Sequence, residues 1–67
     1  MTFGEEIKYV RSVLYLTQAE MASRMSVTEQ TIRRWEGGKG EPRPSAKRKL
    51  REICHKNKIE IKEGEQK

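Results

Sequence analysis

Apolar side chains recur along most of this chain at the three- and four-residue spacing of amphipathic helices. The first run predicts a helix over about 3–14, and its apolar stripe consists of Phe3, Ile7, Val10 and Leu14. Thr2 and Glu5 have the T-x-x-E spacing of a capping box, in which a hydroxyl and a carboxylate each bind a free backbone amide. We therefore expect a capped first helix.

A second, shorter helix is predicted over about 18–25. Thr17 and Glu20 repeat the T-x-x-E spacing and so place its start. Its inward-facing side chains are expected to be Ala19, Ala22 and Met25, with Met21 beside them. Only the short segment 26–28 precedes the next helix, which favours two helices that cross at a steep angle, as in a helix-turn-helix.

The third helix has two chemically different sides. Thr28 is a good N-cap and a glycine pair follows Glu36, which predicts a span of about 29–36. At about 100° per residue, Ile32 and Trp35 project to one side, and this spacing favours a core position for Trp35 over stacking on a base. The opposite side, termed the polar face below, consists of Glu29, Gln30, Arg33 and Arg34. A helix with one free polar side indicates contact with something other than the core.

A fourth helix and a short tail follow a loop rich in Gly and Pro. Ser45 is expected to cap this helix, whose apolar side consists of Ala46, Leu50, Ile53 and Cys54. In the tail, Ile59 and Ile61 alternate with charged residues. This pattern fits either a short strand that pairs with the same segment of a second molecule or a frayed, charged terminus. We expect a helical domain over 1–57 and a charged tail over 58–67.

The composition bounds the classes of protein that the chain can belong to. Its 67 residues suffice for one small domain. Cys54 is the single cysteine, which excludes a disulfide within the chain and a cysteine-based zinc site. No apolar run approaches the roughly 18 residues of a membrane span. We expect a cytoplasmic protein with no membrane partner, no cofactor and no metal.

Positive charge is concentrated in one stretch of the chain. Residues 33–58 hold ten Lys or Arg and three Glu, a net charge of +7, in a chain whose total is +5. Such a cluster suits a polyanion, because neutralised phosphates release condensed counterions. Part of it could instead be a solvated face of helix four, formed by Lys47, Arg48, Lys49 and Arg51.

Several motifs in a fixed order resemble the Cro/C1-type (XRE) helix-turn-helix family, which includes phage repressors and many small bacterial regulators. They are IKYVR in helix one, LTQAEMA at the start of helix two, VTEQTIRRWEGGK across the turn and helix three, and PRPS before helix four. The resemblance covers residues 5 to about 53. It implies an all-α, lambda-repressor-like fold of about four helices, whose third helix enters the major groove of DNA.

The resemblance also implies roles for single residues. The residues that match base-contacting positions of the family are Glu29, Gln30 and Arg34. Those that match contacts to the DNA backbone are Gln18, Lys39 and Arg43. Gln18 matches a glutamine that also braces the third helix. Arg11 and Glu36 match an arginine and a glutamate that often pair.

The chemistry of the polar face agrees with contacts to bases. The amide of Gln30 can donate to N7 and accept from N6 of one adenine. Arg34 can fork onto guanine O6 and N7, or reach a phosphate. Glu29 either accepts from cytosine N4 or only complements the helix dipole. The residues expected to reach phosphate are Arg33, Thr28 and Thr31, although capping alone would explain Thr28.

The chain departs from the family pattern at three places. Tyr15 and Ser26 stand where the family often has Gly, one after helix one and one in the turn of the motif. If either residue takes a positive φ, the cost is on the order of 1 kcal/mol. A fifth helix that often closes the domain and supports its dimerisation is missing. The sequence therefore leaves open whether the protein binds a palindromic operator as a homodimer.

Taken together, these features predict a sequence-specific binder of double-stranded DNA that acts as a transcriptional repressor or regulator. The alternative is an antitoxin-like subunit that masks a protein partner and binds DNA secondarily. We do not expect an enzyme, because the chain offers no nucleophile, base and orienting group that could act together. No small-molecule substrate is indicated.

Overall fold

The computed structural model describes residues 2–61, and these form four α-helices without a strand. The helices are α1 (Phe3–Val13), α2 (Gln18–Met25), α3 (Glu29–Glu36) and α4 (Pro44–Lys56). α3 packs against both α1 and α2, and α4 packs against the same two helices. The all-α architecture predicted from the sequence is confirmed.

Both predicted capping boxes form. Thr2 Oγ1 accepts a hydrogen bond from the Glu5 amide at 3.1 Å, and the Thr2 amide donates to Glu5 Oε1 at 2.9 Å. The matching distances for Thr17 and Glu20 are 3.1 and 2.8 Å. These reciprocal bonds satisfy amides that the first turn of a helix leaves free, which explains why α1 and α2 begin where the sequence indicates.

The start of α4 differs from the prediction. Ser45 was expected to be the N-cap, but the helix begins at Pro44 with Arg43 in the cap position and no side-chain cap bond. Proline favours the first helical position because its fixed φ suits a helix and its missing N–H would have no partner there. The proline therefore outweighs the capping preference of the serine.

The core lies between all four helices. Its buried residues are Ile7, Val10, Met21, Ala22, Met25, Ile32, Leu50, Ile53 and Cys54. The prediction that Ala19 faces inward was wrong, because Ala19 is exposed. On α2, Met21, Ala22 and Met25 define the buried arc, and Ala19 projects more than 90° from its centre at about 100° per residue.

The turns on either side of α2 carry the backbone strain that the sequence suggested. Tyr15 has φ of 57° and Ser26 has φ of 62°, both in the left-handed region. Ser26 is the C-cap of α2, where a left-handed residue allows the chain to turn sharply into α3. Both positions therefore carry the cost of a side chain in a glycine-like conformation.

The segment after α4 folds back on the core. Lys58 has φ of 56°, and the Ile59 amide donates to Cys54 O at 2.8 Å. Ile59 and Ile61 are partly buried and pack against the core of the same chain. Pairing of this segment with a second molecule stays a prediction. The rest of the predicted tail, 62–67, lies outside the described residues.

No helix within residues 2–61 has the length and apolar character that crossing a membrane requires.

Candidate nucleic-acid interface

α3 presents its polar face to solvent and its apolar side to the core, as the sequence predicted. Ile32 is fully buried, whereas Gln30, Arg33 and Arg34 are exposed. Trp35 packs against the core and meets Phe3 edge to face, with ring centroids 5.1 Å apart. The tryptophan therefore anchors α3 to the core.

Arg11 and Glu36, which were predicted to pair, tie the end of α3 to α1. Arg11 Nε lies 2.7 Å from Glu36 Oε2, and Arg11 Nη2 lies 3.0 Å from Glu36 Oε1. The two side chains are only 23 % and 7 % exposed. Hydrogen bonding to Glu36 raises the pKa of Arg11. A forked pair of this kind fixes both the position and the rotation of the helix end.

Gln18 connects this ion pair to the polar face. Its Nε2 donates to Glu36 Oε1 at 3.2 Å, and its Oε1 accepts from Arg33 Nε at 3.3 Å. Gln18 is the first residue of α2, so it links the two helices of the motif directly. The bracing of α3 that the family resemblance implied for this glutamine is present.

Glu29 and Arg33 form an ion pair within the polar face. Arg33 Nη2 lies 2.8 Å from Glu29 Oε2, with side chains that are 62 % and 41 % exposed respectively. The i, i+4 spacing of the two residues was visible in the sequence and is the spacing at which helix side chains meet. Both residues were assigned separate DNA contacts there, and the structure instead brings them together.

Thr28 and Thr31 are engaged with each other. Thr28 Oγ1 accepts from the Thr31 amide at 3.3 Å, and the two hydroxyl oxygens lie 3.0 Å apart. This arrangement is the N-cap of α3. Both hydroxyls are therefore at the start of the helix, where a phosphate contact would have to share them with the cap.

Three cations, one each from α3, the loop after it and α4, line one cleft. The Lys39 amide donates to Arg34 O at 2.8 Å, which folds the loop back toward the helix. A Cβ on Gly40 would lie 3.3 Å from Arg34 Nη2, so the guanidinium rests beside this glycine. The charged residues that line the cleft are Arg34, Glu41, Arg43 and Lys49. Three cations and one carboxylate give it a positive character.

Gly4 is a positioning residue that the sequence analysis missed. It is buried, and a Cβ at this position would overlap Trp35 O, so the start of α1 lies directly against the end of α3. The signal available in the sequence was a glycine inside the first turn of an otherwise good helix. Glycine lowers helix stability, and a packing requirement is one reason to keep it.

The described residues contain no group of three or more His, Cys, Asp or Glu side chains that could hold a metal ion.

Residues 7–60 match the family model described as helix-turn-helix. Comparison of the chain with curated proteins and with solved structures found no match.

Proposed function

The chain belongs to the Cro/C1-type helix-turn-helix family, and from this premise we propose that it recognises specific sequences in double-stranded DNA as a transcriptional repressor. The domain is of the DNA-binding, transcription-regulator type. The observation that carries the finer proposal is α3 itself. Its polar face is open to solvent, while Ile32, Trp35 and Glu36 attach it to the other helices.

In this proposal, α3 lies in the major groove and side chains at its start and middle contact base edges. Gln30 reads an adenine through its amide, and nothing in residues 2–61 competes for that amide through a hydrogen bond. Arg34 reads a guanine or grips the adjoining phosphate, as its place beside Gly40 allows. Lys39 and Arg43, both exposed, hold the DNA backbone.

The proposal extends to a homodimer on a palindromic operator. One α3 is 8 residues long and covers only a few base pairs. A two-fold dimer would present two such helices to half-sites about one helical turn apart. Sedimentation of the protein with an operator duplex measures the stoichiometry directly, and one chain per operator would contradict this part.

DNA binding is tested by fluorescence anisotropy with a dye-labelled duplex of random sequence. About four phosphate contacts predict a loss of roughly a hundredfold in affinity between about 50 and 200 mM salt. Absence of binding to the duplex at low salt would contradict the proposed function.

Substitutions that each remove one positive charge refine this test. Lys39→Ala and Arg43→Ala should each lower the salt slope by about 1, because each removes one phosphate contact. Lys56→Ala is the matched control, because it removes the same charge at the opposite end of α4. Equal slopes for all three variants would show that binding does not depend on the loop after α3.

A further inference from the structure

A continuous chain of hydrogen bonds runs from the partly buried junction of α1 and α3 to the start of the polar face. It begins at the Arg11–Glu36 pair and passes through Gln18 to Arg33, at 3.2 and 3.3 Å. It ends at Glu29, whose Oε2 accepts from Arg33 Nη2 at 2.8 Å. The network thereby connects the exposed carboxylate of Glu29, the first residue of α3, to the largely shielded carboxylate of Glu36, its last residue.

The orientation of Gln18 is set by its two partners. Its amide nitrogen must face Glu36, which can only accept, and its oxygen must face Arg33, which can only donate. Rotating the amide by 180° would place donor against donor and acceptor against acceptor. Arg33 is consequently held at Nε as well as at Nη2, and two bonds restrict a guanidinium far more than one.

The pair leaves one oxygen of Glu29 available. Oε2 is occupied by Arg33, whereas Oε1 has no hydrogen-bond partner among residues 2–61. An ionised carboxylate only accepts hydrogen bonds, and cytosine N4 is the major-groove donor that it pairs with best. Adenine fits less well, because its N7 acceptor lies beside its amino group and would face the same carboxylate.

Arg33 also removes an electrostatic obstacle. A lone carboxylate is repelled by DNA phosphates, but the guanidinium 2.8 Å away cancels its charge locally. Nη1 of Arg33 makes no hydrogen bond within the described residues and can still reach a phosphate oxygen. The phosphate contact expected for Arg33 and the base contact expected for Glu29 can therefore occur in one arrangement.

We propose that Glu29 and Arg33 form a single reading unit, in which Arg33, held by Gln18, positions Glu29 to select a cytosine in the major groove. Glu29 is the specificity-determining residue and Arg33 is its positioning residue. This inference rests on the proposed function, because it names the base that one part of the same surface selects.

The test uses selection of bound sites from a random duplex pool with the full chain, followed by affinities for the selected site with each base pair exchanged in turn. Glu29→Gln should move the preference at one base pair from cytosine to adenine, because an amide offers both a donor and an acceptor. Arg33→Met keeps an unbranched, flexible stem on the helix and removes the guanidinium with its donors. It should lower discrimination at that same base pair by on the order of tenfold and preserve the preferences elsewhere.

Lys39→Met is the matched control, because it also removes one cation and should weaken all sequences alike. Arg33 is 62 % exposed, so Arg33→Met is expected to fold, and circular dichroism verifies this. A uniform loss for Arg33→Met, like that of Lys39→Met, would overturn the reading unit and leave the proposed function intact. No enriched site with the unaltered protein would overturn both.

Discussion

Two ion pairs on α3 are built from the same chemical groups and differ in their exposure to water. The Arg11–Glu36 pair joins two helices and is largely shielded, whereas the Glu29–Arg33 pair lies on the surface of one helix. Removing one partner from a buried pair leaves an uncompensated charge in a poor solvent. An exposed charge that loses its partner is solvated by water at little cost.

Glu36→Ala is therefore expected to lower the free energy of unfolding by about 3 kcal/mol. Glu29→Ala, which removes the same group from the same helix, should cost less than about 1 kcal/mol. Urea unfolding followed by circular dichroism measures both. Similar losses for the two variants would mean that the shielding of the Arg11–Glu36 pair does not contribute to stability.

Tyr15 combines a strained backbone with an unburied side chain. Its φ is 57°, and the side chain is 91 % exposed, so it gains no packing in return. Tyr15→Gly should raise the free energy of unfolding by about 1 kcal/mol, since glycine adopts this conformation without steric cost. Tyr15→Ala keeps the strain and serves as the control, with little change expected. Destabilisation by Tyr15→Gly in thermal unfolding would contradict this account.

At the scale of helices, the close approach of α1 to α3 sets where the polar face lies. Gly4 has no side chain, and this allows the backbone of Trp35 to lie against it. Because the end of α3 is held there and by Glu36, the helix cannot rotate about its own axis without breaking contacts on two sides. The direction of the polar face is thus a property of the packing between helices.

Gly4→Ala should destabilise the protein by about 2 kcal/mol although alanine is the better helix former, because its Cβ overlaps backbone that cannot move aside easily. Gly37→Ala is the control, since Gly37 ends α3 with φ of −83°, which alanine also adopts. Its effect should stay below about 1 kcal/mol. Unchanged melting of Gly4→Ala would show that the two helices can separate without penalty.

The helices could be predicted because their signals are local. The capping boxes at Thr2 and Thr17 and the spacing of apolar residues depend only on neighbours in sequence. The contact of Gly4 with Trp35, and the groove that Ile59 shares with Phe3, depend on residues far apart in the chain, which no local pattern encodes. Local signals can also conflict. At α4 the capping preference of Ser45 predicted one start, and Pro44 sets another.

The candidate site was predictable to a similar degree. The periodicity of α3 separated its polar face from its apolar side, because a helix fixes the direction of each side chain. The i, i+4 spacing of Glu29 and Arg33 was visible, but the bond from Arg33 to Gln18 was not. That arrangement requires the relative placement of α2 and α3, which only the folded chain determines.

At the scale of the whole molecule, the segment after α4 contributes to the core. Ile59 and Ile61 line a shared groove with Phe3, Leu50 and Cys54. A domain of this size has few apolar contacts to lose. The segment therefore has a role in stability that does not require a second molecule.

Truncation after Asn57 should lower the free energy of unfolding by about 2 kcal/mol, because two partly buried isoleucines are lost. The double substitution Ile59→Ala and Ile61→Ala in the full chain should reproduce most of this loss. Sedimentation provides the second measurement. Unchanged stability together with the loss of a dimer would instead favour pairing of this segment between two molecules.

The central claim is that the polar face of α3 reads the sequence of a DNA duplex. Selection from a random duplex pool tests it most directly when the unaltered protein and Gln30→Ala are compared side by side. The account predicts that the unaltered protein enriches one motif, and that Gln30→Ala loses about 1 to 3 kcal/mol of discrimination at a single base pair of that motif. No enrichment, or an identical motif for both proteins, would contradict it.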